Sequence, residues 1–150
     1  MKQIISLNYS YLIDHLIQDD PVRPELTSKF RTTHGRECYA LMDDGIPCAV
    51  ICVGYTHQVP KTVAELDEYA FNDYNDPNGI AVFYTVWSYT KGSGREIVFS
   101  VVDYIKESKP WVRRFVTLSP KTEMAKKFHL GNGAFTLSEN EETVNYEYRV

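Results

Sequence analysis

The sequence predicts a single α/β (α+β) domain over residues 1–150, with a mixed central sheet flanked by helices. Runs rich in β-branched and aromatic residues alternate with amphipathic stretches along most of the chain, the pattern of alternating strands and helices. The most regular part, residues 80–108, has the pattern of a buried strand, a glycine turn and a helix. At 150 residues the chain is long enough to bury a sizeable core.

Composition excludes several classes of protein. A chain that is 43% hydrophobic and 24% charged is typical of a soluble globular protein, and its net charge of −4 gives no general reason to bind nucleic acid or an anionic membrane. We find no signal-peptide pattern and no run that approaches a membrane span. Three cysteines, Cys38, Cys48 and Cys52, form no disulfide pattern, which favours a cytoplasmic location.

The first half of the chain has three clear local signals. Pro24 can start a short helix after the break that begins at Asp19. Asp44-Gly45 between two strand-like runs predicts a hairpin, and Thr62 with Glu65 forms a capping-box pattern. The predicted elements are a strand at 2–7, helices at 11–18 and 24–30, strands at 36–43 and 47–56, and a helix at 62–71.

The second half is built around the strand at 80–87. A right-handed crossover through the following helix would lay residues 111–118 parallel to that strand. Apolar residues recur on one stripe of the crossover helix, as a buried face requires. The predicted elements are a strand at 80–87, a helix at 95–107, a strand at 111–118, a helix at 121–129, and a hairpin of strands at 134–137 and 144–149.

The glycine turn between strand and helix predicts a phosphate site. Gly92 and Gly94 allow several backbone N–H groups to converge, and the helix N-terminus adds unpaired N–H groups and a positive dipole end. Lys91 and Arg95 add charge, and Ser93 completes the cradle from 91 to 95. The alternative is a solvated loop that opens an ordinary helix.

The same turn resembles the acetyl-CoA-binding core of the GNAT superfamily of N-acetyltransferases. That family's fingerprint here is Q/R-x-x-G-x-G/A, and the chain reads Tyr89-Thr90-Lys91-Gly92-Ser93-Gly94. Both glycines match, whereas Tyr89 replaces the usual Gln or Arg.

A second GNAT pattern, N-x-x-A-x-x-L/F-Y, resembles the run at 122–129. Ala125 and Phe128 match it, while Thr122 replaces the usual Asn and His129 the usual Tyr. Two patterns at the expected separation support the resemblance.

The resemblance implies a GNAT-like sheet with splayed central strands and a set of site residues. Backbone groups of Val86, Trp87 and Ser88 would bind the amide-containing arm of acetyl-CoA, and the hydroxyl of Thr122 could bond the cofactor. His129 would protonate the departing thiolate, because histidine can donate a proton near neutrality. In the alternatives, Trp87 is only a core residue, and His129 is a surface residue near a helix C-terminus.

For the base that takes the amine proton, the candidates are Asp73, Asp76 and Tyr84, directly or through water. Loop aspartates are most often turn formers, so Tyr84 is kept with His129 as the predicted catalytic pair. The remaining histidines show no metal-ligand spacing with the cysteines, and no metal is expected.

The sequence therefore predicts an N-acetyltransferase that moves an acetyl group from acetyl-CoA to a primary amine of a small molecule or protein. The alternative is a non-catalytic GNAT-fold protein that acts as a protein-interaction or CoA-binding module.

A Rossmann interpretation of the glycine turn fails, because Ile97 occupies the position of the third glycine. Many proteins of this fold pair through their strands, so a homodimer is compatible with the resemblance. The acidic, aromatic run at 67–76 could attract a cationic amine or be a solvated loop.

Overall fold

A computed structural model describes residues 1–33, 35–71 and 78–150. The predicted order of elements is confirmed, with one addition, the two-residue strand β6. The strands are β1 (Lys2–Ser6), β2 (Arg36–Asp43), β3 (Ile46–Thr56), β4 (Gly79–Ser88), β5 (Val112–Thr117), β6 (Ser119–Pro120), β7 (Phe135–Glu139) and β8 (Thr143–Tyr148). The helices are α1 (Leu12–Leu16), α2 (Ser28–Thr32), α3 (Val63–Tyr69), α4 (Ser93–Ser108) and α5 (Glu123–Gly131), with a 3₁₀ turn at Ile17–Asp19 after α1.

The strands form one mixed sheet in the order β1-β2-β3-β4-β5-β8-β6, with β7 beside β8. Neighbours from β1 to β4 are antiparallel. β4 and β5 are parallel, as the crossover through α4 predicts. The predicted α/β class with a mixed sheet is confirmed.

Two hydrophobic cores cover the two faces of the sheet. On one face Ile97, Val101 and Ile105 of α4 are fully buried, and Phe128 of α5 packs against the same core. The opposite core lies between the sheet and α1 to α3, with Leu66 of α3 fully buried there. α4 thus buries one apolar stripe, which is how an amphipathic helix contributes to stability.

Two of the three local signals in the first half are confirmed, but the helix predicted to start at Pro24 begins at Ser28 instead, because the Thr27 side chain caps it by accepting from Phe30 N. Asp44 and Gly45 have φ angles of 50° and 84°, the left-handed conformation that a tight hairpin turn requires. The Thr62 hydroxyl accepts from Glu65 N at 3.0 Å, and the Glu65 carboxylate accepts from Lys61 N at 2.8 Å. In a standard capping box the Glu65 carboxylate would accept from the N–H of the cap residue Thr62. Here it accepts from the N–H of Lys61, the residue before the cap.

The sheet opens between β4 and β5. Their ladder ends at the pair Phe83 and Thr117, whereas the ladder between β3 and β4 continues to the pair Ala49 and Ser88. Residues 84–88 of β4 therefore have a free edge toward β5. We call this gap the fork, and it confirms the splayed strands that the resemblance implies.

A β-bulge lies at the start of the fork. Cys52 pairs with Thr85 and Val53 with Phe83, so Tyr84 is an extra residue in β4. A bulge bends its strand and re-aims the side chains that follow it. Tyr84 and Trp87 consequently pack in the core beneath α1 to α3.

Among the helices of the described ranges, none is both long and apolar enough to cross a membrane.

Candidate functional site

A cavity of about 560 Å³ occupies the fork. One wall is β4 and the turn after it, and the other is the segment that follows β5. The loop after α1 lines it from one face of the sheet, and α4 and α5 line it from the other. The cavity therefore reaches through the sheet, and its size lies within the range of small-molecule sites.

The structure brings most of the predicted site residues to this cavity. The predicted residues that line it are Tyr84, Val86, Trp87, Ser88, Gly94, Thr122 and His129. The other four, Lys91, Gly92, Ser93 and Arg95, lie at the start of α4 beside it.

Gly92 caps the N-terminus of α4 in the left-handed conformation, with φ of 83°. A Cβ built on Gly92 would meet nothing within 4 Å, so the space in front of the helix is open. The helix begins at Ser93, two residues before the predicted start. The Ser93 hydroxyl lies between two acceptors, the Thr90 carbonyl at 2.6 Å and the Cys48 carbonyl of β3 at 3.1 Å, and the Ser93 N–H donates to the Thr90 carbonyl at 3.3 Å. The backbone N–H groups that follow Ser93 are therefore the anion-binding groups.

The start of α4 lies directly against α5. A Cβ on Gly94 would lie 3.1 Å from the Phe128 ring, so a glycine permits this close approach. Arg95 Nη1 donates to Asn132 Oδ1 at 3.2 Å, and its guanidinium lies over the Phe99 ring. Lys91 is exposed. Arg95 is thus partly used to join the two helices.

Trp87 is a core residue that also lines the cavity, and its main-chain contact with acetyl-CoA stays a prediction. It lines the cavity, yet it is only 6% exposed and packs in the core. Its indole Nε1 donates to the Tyr89 hydroxyl at 3.1 Å. Thr122 caps α5, since its hydroxyl accepts from Ala125 N at 3.2 Å.

His129 is buried, so its interpretation as a surface residue is wrong. It is 6% exposed and stacks on Tyr146 with ring centroids 5.3 Å apart. Nδ1 lies 2.8 Å from the Tyr148 hydroxyl, which also accepts from Asn132 Nδ2 at 3.3 Å. Burial lowers the pKa of His129 to about 4, so the ring is neutral at pH 7.

The buried imidazole predicts a loss of stability in acid. In the unfolded chain His129 takes a proton near its ordinary pKa of 6.5, but in the folded protein only near 4. Between these values the unfolded state binds more protons, so the free energy of unfolding falls as pH falls from 6.5 to 4, by about 3 kcal/mol. Urea unfolding of the protein and of His129→Phe at pH 7 and pH 4.5 measures this. Equal acid sensitivity of the two proteins would contradict it.

Tyr84 lies deep in the core below the fork. Its side chain is 1% exposed and packs edge-on against Phe30. The hydroxyl has no hydrogen-bond partner among the described residues, and burial raises its pKa well above the ordinary value. A protonated phenol at neutral pH is a poor proton acceptor, and the role of Tyr84 as base stays a prediction. Asp73 and Asp76 lie outside the described residues.

A buried charged cluster lies behind the cavity, and sequence reasoning missed it. The carboxylate of Asp20 and the guanidinium of Arg31 pair at 2.7 Å with both side chains fully buried. Asp20 also accepts from Arg23 N at 3.0 Å and from the Thr85 hydroxyl at 2.9 Å. These bonds fasten the loop after α1 to β4.

Arg23 spans the fork. Its Nε donates to the Tyr84 carbonyl on β4, and its Nη2 donates to the Leu118 carbonyl just beyond β5, both at 3.1 Å. One guanidinium therefore replaces the ladder bonds that are lost where the strands part.

Tyr89 has a partner that the sequence did not reveal. Its hydroxyl donates to Asp19 Oδ2 at 2.7 Å, and both residues line the cavity. Tyr89 thus connects the turn before α4 to the loop after α1. The only sequence signal for Asp19 was its place at the start of the break after the first predicted helix.

No protein-family model matches the chain, and no curated protein matches it in sequence. Several solved structures match it in fold. A malonyl-CoA decarboxylase from Agrobacterium vitis superposes with a TM-score of 0.78 at 16% identity, over 99% of this chain and 60% of that one.

Two transferase structures match over nearly their whole lengths. The Campylobacter jejuni N-acetyltransferase PseH, in complex with acetyl coenzyme A, gives a TM-score of 0.64 at 12% identity, over 99% of this chain and 98% of its own. The GNAT domain of S. lividans PAT gives 0.63 at 14% identity, over 98% and 88%. The chain thus spans 60% of the decarboxylase and has the fold of the GNAT N-acetyltransferases.

Proposed function

We propose that the protein transfers an acetyl group from acetyl-CoA to a primary amine. The observation that carries this proposal is the cavity through the fork, which joins the open N-terminus of α4 to the loop after α1. A long cofactor and an acceptor can enter such a cavity from opposite faces of the sheet. The PseH structure holds acetyl coenzyme A in the same fold.

In this proposal the cofactor's phosphates lie at the N-terminus of α4. The backbone N–H groups after Ser93 and the positive end of the helix dipole favour an anion there. The amide-containing arm follows the free edge of β4 at 86–88, whose main-chain groups can bond it. The mostly apolar walls of the fork enclose the acetyl end.

The transfer itself forms a carbon–nitrogen bond and breaks the carbon–sulfur bond of the thioester. The acceptor amine attacks the acetyl carbon in its unprotonated form, and the electron pair of the broken bond leaves on the thiolate. The thiolate then needs a proton. His129 can supply the N–H of its neutral ring, and the Tyr148 hydroxyl at 2.8 Å can replace that proton through Nδ1. The proton that the amine nitrogen loses as the amide forms passes to solvent and restores the Tyr148 hydroxyl, so one proton moves in all.

The test is calorimetric titration with acetyl-CoA, followed by thiol release with a panel of primary amines. We expect micromolar binding and amine-dependent release of coenzyme A. His129→Gln should lower turnover by about 10²–10⁴-fold, the usual contribution of an acid catalyst, and leave the Kd for acetyl-CoA unchanged. The absence of acetyl-CoA binding would overturn the proposal.

The non-catalytic module is the second candidate, and Tyr89 supports it. Its hydroxyl is bonded to Asp19, at a position where the GNAT fingerprint has Gln or Arg. Binding of acetyl-CoA without thiol release across the amine panel would favour this candidate. Malonyl-CoA belongs in the same titration, because the decarboxylase is also a structural neighbour.

Three broader features belong to this proposal: a single domain over residues 1–150, a cytoplasmic location and a homodimer paired through strands. Support for the cytoplasm comes from the cysteines, since Cys38, Cys48 and Cys52 are all buried and free. Cys38 and Cys52 lie on paired positions of β2 and β3.

A further inference from the structure

We infer that Asp19, held by Tyr89, first binds the acceptor as its ammonium ion at the end of the cavity beside the loop after α1, before that ion gives one proton to solvent and attacks as the free amine. This inference rests on the proposed function and names the acceptor's chemical class. Asp19 ends the 3₁₀ turn after α1, and the residues before it pack in the core on the face of the sheet opposite α4. An acceptor that enters the cavity from that face would meet this carboxylate.

Asp19 is the one formally charged side chain among the described residues that line the cavity. His129 is neutral at pH 7, because burial lowers its pKa to about 4. Burial also raises the pKa of Tyr89 to about 12, so the phenol stays protonated. Asp19 is exposed to solvent, and its single negative charge beside a mostly apolar lining attracts a cation and repels an anion.

The Asp19 carboxylate is held in place and still has an oxygen to offer. Oδ2 accepts from the Tyr89 hydroxyl at 2.7 Å, and that hydroxyl accepts from Trp87 Nε1 at 3.1 Å. The two bonds order the carboxylate before any ligand arrives, which lowers the entropic cost of binding. Oδ1 accepts no hydrogen bond from the described residues, so it can take a charge-assisted hydrogen bond from an ammonium group.

The surroundings suit an amine with an apolar body. Pro21 and Val22 line the cavity beside Asp19, and Trp87 lines it from β4. An aromatic face near a carboxylate favours a cation with attached methylene groups. A second acidic residue, Asp20, does not compete for the ligand, because its carboxylate is fully buried and paired with Arg31.

The test is calorimetric titration with n-butylammonium and with n-butanol, which has the same apolar body without the charge. The protein is titrated alone and saturated with coenzyme A, which has no acetyl group to transfer. We expect Asp19→Asn to weaken butylammonium binding about tenfold, the loss of one hydrogen bond to a charged group, and to leave butanol binding unchanged. Tyr89→Phe should weaken butylammonium binding by a smaller factor, because the carboxylate is then less well held.

Asp14→Asn is the matched control, since Asp14 is an exposed carboxylate on α1 outside the cavity and its loss should change neither titration. Unchanged butylammonium binding in Asp19→Asn, or an equal loss in Asp14→Asn, would overturn the inference. If Asp19→Asn does not fold, the salt dependence of butylammonium binding to the intact protein decides: a carboxylate–ammonium pair weakens as salt rises, and a flat response overturns the inference.

Asp19-dependent cation binding without acetyl-CoA binding would support the cation site and remove the transferase. Acetyl-CoA binding without Asp19-dependent cation binding would do the reverse.

Discussion

Replacing Gly92 with aspartate is expected to weaken acetyl-CoA binding about a hundredfold more than replacing it with asparagine. The two side chains have the same shape, and both Asn and Asp tolerate the left-handed conformation that Gly92 adopts. Neither meets an obstacle near its Cβ. The variants therefore differ in one charge, placed where the cofactor's phosphate is proposed to lie. Two like charges about 4 Å apart repel by about 4 kcal/mol at an effective dielectric constant of 20, and solvent lowers this.

Stability separates this effect from simple damage. A carboxylate near a helix N-terminus stabilises the helix by about 0.3–1 kcal/mol, so Gly92→Asp should be at least as stable as Gly92→Asn while it binds the cofactor less well. Calorimetry gives the Kd values, and thermal unfolding gives the stabilities. Equal acetyl-CoA affinities for the two variants would show that no phosphate binds at the start of α4.

Arg31→Met is expected to lower the free energy of unfolding by about 3–5 kcal/mol, the usual cost of removing one partner of a buried ion pair. Methionine replaces part of the apolar volume but leaves the Asp20 carboxylate buried without its partner at 2.7 Å. It also removes the bonds from Arg31 to the Leu26 and Arg23 carbonyls. A loss of this size is a large fraction of the stability of an ordinary domain.

Lys2→Met is the matched control. Lys2 pairs with Glu96 at 2.9 Å, but the two side chains are 45% and 40% exposed. An exposed pair contributes about 0–1 kcal/mol, so urea unfolding should separate the two variants clearly. Similar losses would mean that the Asp20–Arg31 pair adds little beyond its desolvation cost.

The sequence predicted the fold well because its signals are local. Periodicity placed the strand at 80–87 and the helix after it, and Asp44-Gly45 placed the hairpin. β6 was missed because two residues, Ser119 and Pro120, carry no periodicity. The start of α4 was placed two residues late, because the Ser93 side chain bonds a carbonyl 45 positions earlier in the chain.

The site was predicted only where a pattern covered it. The glycine turn and the run at 122–129 led to residues that now lie around one cavity. Asp20 and Arg23 were interpreted only as part of a helix break, since their partners on β4 are 61–65 positions away. Asp19 meets Tyr89 across 70 positions. A single sequence does not reveal pairs so distant. Nothing in it distinguishes a charged residue that is buried in the fold from one that is exposed.

Arg23 also bonds main-chain groups that the gap between β4 and β5 would otherwise leave unpaired. Beyond Phe83, β4 presents main-chain groups to which a foreign extended chain could pair, and such edges are where proteins aggregate. The guanidinium already occupies the Tyr84 carbonyl, and Pro120 on the opposite wall of the cavity has no N–H to offer. A continuous β-strand therefore finds its first pairing positions taken. A slender chain with only a few amide groups does not need them, so we expect such a ligand to enter the gap more readily than an extended polypeptide.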